Sequence, residues 1–229
     1  MKRGRALLCY AFFAACVPLF PYCVNRVFLE TPIEAKMGTV QKIFYFHVPM
    51  AWMCMLFAVI CGVAAVIQLW RSSPSAEAVA TAAGEIAVIT GLAVLVTGPI
   101  WGARSWSTPW TNDPRQVLTA LLWLIFVAYL LVQRYGPPNA DRLAAGLAVF
   151  GMIDVPIVYY AVELWKSTHP TTGVVGSLPS QMWSSLWLAL APLLLCTLGL
   201  FFVRIRQERL SQAMDAAWVA FDRVGSQPA

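Results

Sequence analysis

The sequence predicts an all-α, polytopic membrane protein with six transmembrane helices and a tryptophan-rich external loop. Three observations carry that prediction. The residues are 59% hydrophobic and only 12% charged, with a mean hydropathy of +0.67, which is more apolar surface than one soluble core of this length conceals. The apolar residues fall into six runs of membrane-spanning length. Between the third and fourth runs lies Trp101–Arg115, with three tryptophans, two arginines and an aspartate. That stretch is too polar for hydrocarbon and too apolar for an ordinary hydrated connection, so it belongs at the bilayer surface.

The first span, about 6–22, follows the basic tip Met1–Arg5 and is read as an uncleaved helix with its N-terminus inside, since no small-residue cleavage site stands near Pro21–Asn25. Residues Arg26 to Lys42 form a polar connection to the second span, about 43–70, where Gly62 suits close helix contact. Arg71-Ser-Ser-Pro-Ser75 marks a turn. The third span, about 82–100, delivers the chain to the tryptophan loop, and the fourth, about 117–132, stops at Arg134-Tyr-Gly-Pro-Pro138. The fifth, about 143–162, carries Asp154 followed by Pro156; Glu163 to Gln181 is the longest outer connection; the sixth is about 182–203. The tail beyond Arg204 reads as a short amphipathic helix with Met214, Trp218 and Phe221 on one side. With no internal repeat, residues 1–229 read as a single integral-membrane domain.

The net charge of +5 does not argue for nucleic acid, because the basic residues sit at span ends and form no patch with interleaved aromatics. Ten lysines and arginines fall on one side (Lys2, Arg3, Arg5, Arg71, Arg134, Arg142, Arg204, Arg206, Arg209, Arg223) and six on the other. That asymmetry puts both termini inside and the first, third and fifth connections outside. The six cysteines form no C-x-x-C pair; Cys9, Cys16 and Cys23 recur every seven residues along one helix face and are expected to pack as small hydrophobes.

The only two histidines, His47 and His169, both fall on the tryptophan-loop side. Neutral imidazoles suit haem iron, and two could supply both axial positions while indoles cover the macrocycle. A zinc site would have to borrow carboxylates such as Glu163 or Asp113.

Thr97-Gly-Pro-Ile-Trp-Gly102, the loop ending in Asp113-Pro-Arg115, Lys42-Ile-Phe-Tyr-Phe-His47-Val-Pro-Met-Ala-Trp52, and Asp154–Trp165 followed by His169 together resemble the tryptophan-rich haem-handling domain of the cytochrome c assembly family. The resemblance covers about residues 39–202 and is strongest to the family's smaller, six-span members. It implies haem b as a transported ligand, held at the periplasmic face of a bacterial inner membrane and delivered to a periplasmic haem chaperone (CcmE). A small membrane subunit (CcmD) and an ATP-binding cassette pair (CcmA and CcmB) are the other implied partners. Under that resemblance His47 and His169 are the axial ligands, Trp101, Trp106 and Trp110 the platform, and Arg104 and Arg115 candidates for the propionates, while Asp113 orders the loop. The rival readings are a cytochrome c haem lyase and a haem-translocating permease subunit. No phosphate-cradling Gly-rich Lys motif is present, so ATP hydrolysis belongs to another chain.

The loop departs from the family's denser Trp-Trp-x-Trp-Asp-Ala-Arg pattern. Pro109 precedes Trp110, Asn112 stands in place of a tryptophan, and Pro114 replaces alanine. If stacking dominates, Asn112→Trp is expected to tighten haem retention. Asp154 stands where the family often has asparagine and is expected to make a polar contact near Pro156.

Overall fold

The computed structural model describes residues 2–137 and 139–225, with side chains described from Tyr10 to Arg223 except Pro138. Among the described residues, six helices are long and apolar enough to cross a membrane. They are α1 (Lys2–Asn25), α2 (Phe44–Arg71), α3 (Pro74–Ser105), α4 (Pro114–Tyr135), α5 (Asp141–Leu164) and α6 (Ser180–Gly225). No strand occurs among the described residues.

Every helix except α2, which matches its span to within a residue, runs past the apolar span that marks it. Hydropathy registers only the part in hydrocarbon, whereas backbone hydrogen bonding continues through polar residues at the interface. α3 therefore starts at Pro74, with Ser73 as its cap accepting from the Ala76 N–H, and continues to Ser105. Trp101 and Arg104 thus lie in its last turns and not in a loop. The tail is not a separate helix: α6 is unbroken for 46 residues, about 69 Å at 1.5 Å per residue.

α2 is the central helix, packed against α3, α5 and α6, while α4 joins α3 to α5 and α1 lies outside against α6. Small residues set the close approaches. A Cβ at Gly62 would collide with Met152 of α5, and one at Gly151 would come within 2.7 Å of the Phe126 ring of α4. The thiols pack as expected: Cys23, Cys54 and Cys61 are buried and Cys16 donates to the Pro192 carbonyl, all unbridged. The Cys9 side chain lies outside the described residues.

At one end Glu85 of α3 accepts from both Arg134 of α4 (2.8 Å) and Arg204 of α6 (Nη2, 2.7 Å), pinning three helices together. At the other end the connections 26–43, 106–113 and 165–179 come together. Lys42 is only 2% exposed there, its ammonium donating to the Thr31 carbonyl. Asp154 does not make the polar contact expected of it: it is buried and its Oδ2 has no hydrogen-bond partner among the described residues.

Candidate functional site

The second end is built around an aspartate that closes one helix and ties down a distant loop. Asp113 caps α4: its Oδ1 accepts from the Arg115 N–H at 3.0 Å, and Pro114 occupies the first helical position, where a missing N–H costs nothing. Its Oδ2 accepts from the Ser167 hydroxyl (2.7 Å), the Thr168 N–H (2.7 Å) and the Thr168 hydroxyl (3.2 Å). Ser167 Oγ in turn accepts the His169 N–H at 3.0 Å. Burial pushes the Asp113 carboxyl upward, but these donors overcome it and hold the group below the usual carboxylate range.

The tryptophans enter from the same corner. α3 ends with the Trp106 N–H on the Gly102 carbonyl (2.8 Å), and the Trp106 ring lies so close to Gly102 that a Cβ there would sit 3.0 Å from it. Trp101 and Trp106 meet edge to face at 5.0 Å, and the His169 ring lies 6.2 Å from the first and 6.1 Å from the second. The Trp101 indole nitrogen is buried without a hydrogen-bond partner among the described residues. Beyond Trp106 the loop turns through left-handed Ser107 (φ 59°) and Asn112 (φ 54°). The Asn112 side chain accepts from the Trp110 indole at 2.8 Å, so Asn112 shapes the loop by holding a ring in position.

His47 stands in the first turn of α2, with Nδ1 2.8 Å from Thr97 Oγ1 on α3. A Cβ at Gly98 would lie 3.4 Å from its Cε1, so the ring edge rests on bare α3 backbone. The His169 Nδ1 is 3.2 Å from the Pro170 carbonyl. Burial and the neighbouring Arg115 guanidinium lower the His169 pKa to about 4, against smaller opposing effects of the Pro170 carbonyl and Asp113. His169 is therefore neutral at physiological pH.

These residues line two adjoining cavities, with about 870 and 920 Å³ of space that includes open solvent at their mouths. They share His47, Val48, Trp52, Trp101, Arg115 and His169 as a common wall. The first extends under Trp106 and Trp110, the second toward Tyr159 and Trp187. Trp110 lines only the first and is 38% exposed. Arg115 is half-buried in the common wall, and its guanidinium makes no hydrogen bond or ion pair among the described residues. Arg104, by contrast, is exposed on the last turn of α3 and lines neither cavity, because the helix through residue 105 fixes where it points. Asp113 also lies behind the wall.

Sequence reasoning missed several neighbours. Thr97 and Trp52 stand inside motifs recognised for other reasons, and Trp187, 5.6 Å from Trp52, comes from α6 with no pattern to announce it. Ser167 and Thr168 look like ordinary loop residues until the fold brings Asp113 to them.

The fold and the cleft define a class: a six-helix membrane protein with a two-histidine, tryptophan-walled cavity at one end. The family profile of heme exporter protein C (CcmC) matches residues 3–220, and the chain belongs to that family. It is 31% identical over 205 residues to heme exporter protein C of Bradyrhizobium diazoefficiens, covering 83% of this chain and 77% of the relative. Heme exporter protein C of Escherichia coli K12 is 30% identical over 193 residues, covering 82% and 78%. A putative cytochrome c biosynthesis ccmC-like mitochondrial protein of Marchantia polymorpha is 31% identical over 173 residues, covering 75% and 72%.

Proposed function

We propose that this chain holds haem b as cargo in the two-histidine cleft and passes it to the haem chaperone CcmE during cytochrome c maturation. The observation that carries the reading is that the chain's only two histidines, from α2 and from the α5–α6 connection, line the same aromatic cavities. The donor set suits haem: two imidazoles for the iron, indoles for the macrocycle and a guanidinium for a carboxylate. The names of the relatives support haem handling in cytochrome c biogenesis.

In this reading His47 and His169 are the axial ligands, and Trp101, Trp106 and Trp110 cover the ring. Arg115, otherwise uncommitted, takes a propionate, and Asp113 holds the His169 segment in place. Arg104 has no part in the cleft. The whole chain acts as one integral-membrane unit of the bacterial inner membrane, its cleft facing the periplasm, in company with CcmD and the transporter subunits CcmA and CcmB. Its work is holding and release, with no bond made or broken in the haem. A permease reading has less support, since Glu85, one of the acidic residues within the spans, is taken up by Arg134 and Arg204.

The test is transfer. The protein is purified with its bound pigment and mixed with haem-free chaperone, and the two are separated. Haem appearing on the chaperone, with matching loss here, is the expected result; pigment that stays put under all conditions contradicts the proposal.

A further inference from the structure

Thr97 is a third element of the cleft, and hydrogen counting gives it a role. Its hydroxyl has one proton, and Oγ1 lies 2.6 Å from the Ala93 carbonyl one turn earlier on α3, against 3.5 Å for that of Val94. A threonine inside a helix commonly donates to the carbonyl four residues back. With the proton so used, Oγ1 faces His47 with a lone pair, and at 2.8 Å the imidazole nitrogen must be the donor. The reverse arrangement would leave two bare oxygens facing each other at 2.6 Å. His47 Nδ1 therefore carries a proton, and in the neutral imidazole Nε2 is then the bare nitrogen.

His169 reaches the same state by other means. Its Nδ1 faces the Pro170 carbonyl, an acceptor only, so Nδ1 is again the donor. Two imidazoles from unrelated segments, both lining a shared cavity, thus carry the proton on the same nitrogen. Hydrogen bonds of this kind fix tautomer and ring orientation around metals and make the ligand more basic.

We infer that Thr97 is a positioning residue that locks His47 as the Nδ1–H tautomer, with Gly98 leaving room for the ring edge, so that Nε2 stands ready to bind iron. The iron clause rests on the haem reading above; the tautomer does not.

The test uses the full-length, haem-free protein in nanodiscs with 15N-labelled histidine. Only two ring systems appear, and His47→Ala identifies which is which. The expected spectrum for His47 has a protonated Nδ1 and a bare Nε2. Thr97→Ser should keep it, and Thr97→Val should move the proton largely to Nε2, with the His169 signals serving as the control for fold. A wild-type His47 protonated at Nε2, or at both nitrogens, overturns the inference whatever the variants do. In haem-loaded protein Thr97→Val should raise the reduction potential relative to Thr97→Ser, because the bond that makes His47 more basic is gone. If the apoprotein shows the Nδ1–H form but haem spectra ignore His47→Ala, the ligand reading fails while the tautomer stands.

Discussion

The Asp113 carboxylate accepts the Thr168 N–H at 2.7 Å across 55 residues of sequence, and through Ser167 it also orders the backbone of His169. One side chain thus caps α4 and anchors the segment carrying a candidate ligand. Asp113→Ala should destabilise the protein by about 0.5–2 kcal/mol through the lost cap alone. It should also lower haem occupancy, because His169 is no longer tethered. Asp113→Asn should restore much of the cap but less of the haem, since the amide's NH2 cannot accept from Thr168. Pigment-to-protein ratio and thermal unfolding, measured on both variants, check this.

The stability of the haem-free protein should fall as pH drops through the window from about 6.5 to about 4. The His169 pKa is depressed in the fold from 6.5 to about 4, so the unfolded chain binds more protons across that window and acid favours it. Asp113, also held low in the fold, adds a loss in the same direction further into acid. His169→Gln should flatten the upper part of the profile. Unfolding in nanodiscs at a series of pH values tests the sign.

Asn112→Trp should loosen haem retention. The sequence comparison alone favours the opposite, because the substitution restores a stacking ring. The structure overrides it: Asn112 is left-handed at φ 54°, a conformation costing a bulky residue roughly 1–2 kcal/mol, and its side chain orients Trp110. Asn112→Gly, which keeps the backbone and loses the bond to the indole, should fall between. Haem dissociation to an external acceptor gives the ranking.

The Arg115→Ala variant should hold haem less tightly while leaving the ligand-dependent absorption bands unchanged, because a carboxylate partner is lost and the iron ligands are kept. Lysine at 115 should rescue only in part, being a point charge without the bidentate fork. Arg104→Ala should do little, since its side chain is turned outward. Equal loss in both arginine variants would contradict the assignment.

The six spans and the grouping of three connections at one end were legible in the sequence, because hydropathy and an even number of crossings demand them. Helix ends were not, since hydropathy falls at the interface before helical hydrogen bonding does. That gap is why Arg104 and Arg115 looked equivalent: each flanks the tryptophans, but one lies on a completed helix turned outward and the other opens α4 into the cavity. His47 and His169 could be singled out because no other histidines exist. Thr97, Ser167 and Thr168 could not, because their partners lie 50 to 55 residues away. Lys42 looked like an exposed loop residue and is buried.

Topology follows from the same grouping. Single cysteines at Lys36, Ser107 and Lys166, all exposed, should react with an impermeant thiol reagent from the periplasmic side, and those at Arg71 and Arg206 only from the cytoplasm. Labelling of position 107 from the cytoplasm alone would invert the proposed orientation.

Haem binding in this cleft depends most directly on the iron ligands. The haem-loaded protein and its His47→Ala and His169→Ala variants should be compared by absorption and electron paramagnetic resonance in one membrane mimetic. Two-histidine ligation predicts a low-spin ferric signal in the wild type and its loss or alteration in each variant, with the pocket able to retain some haem through the indoles and Arg115. Haem spectra unchanged in both variants would contradict the central claim.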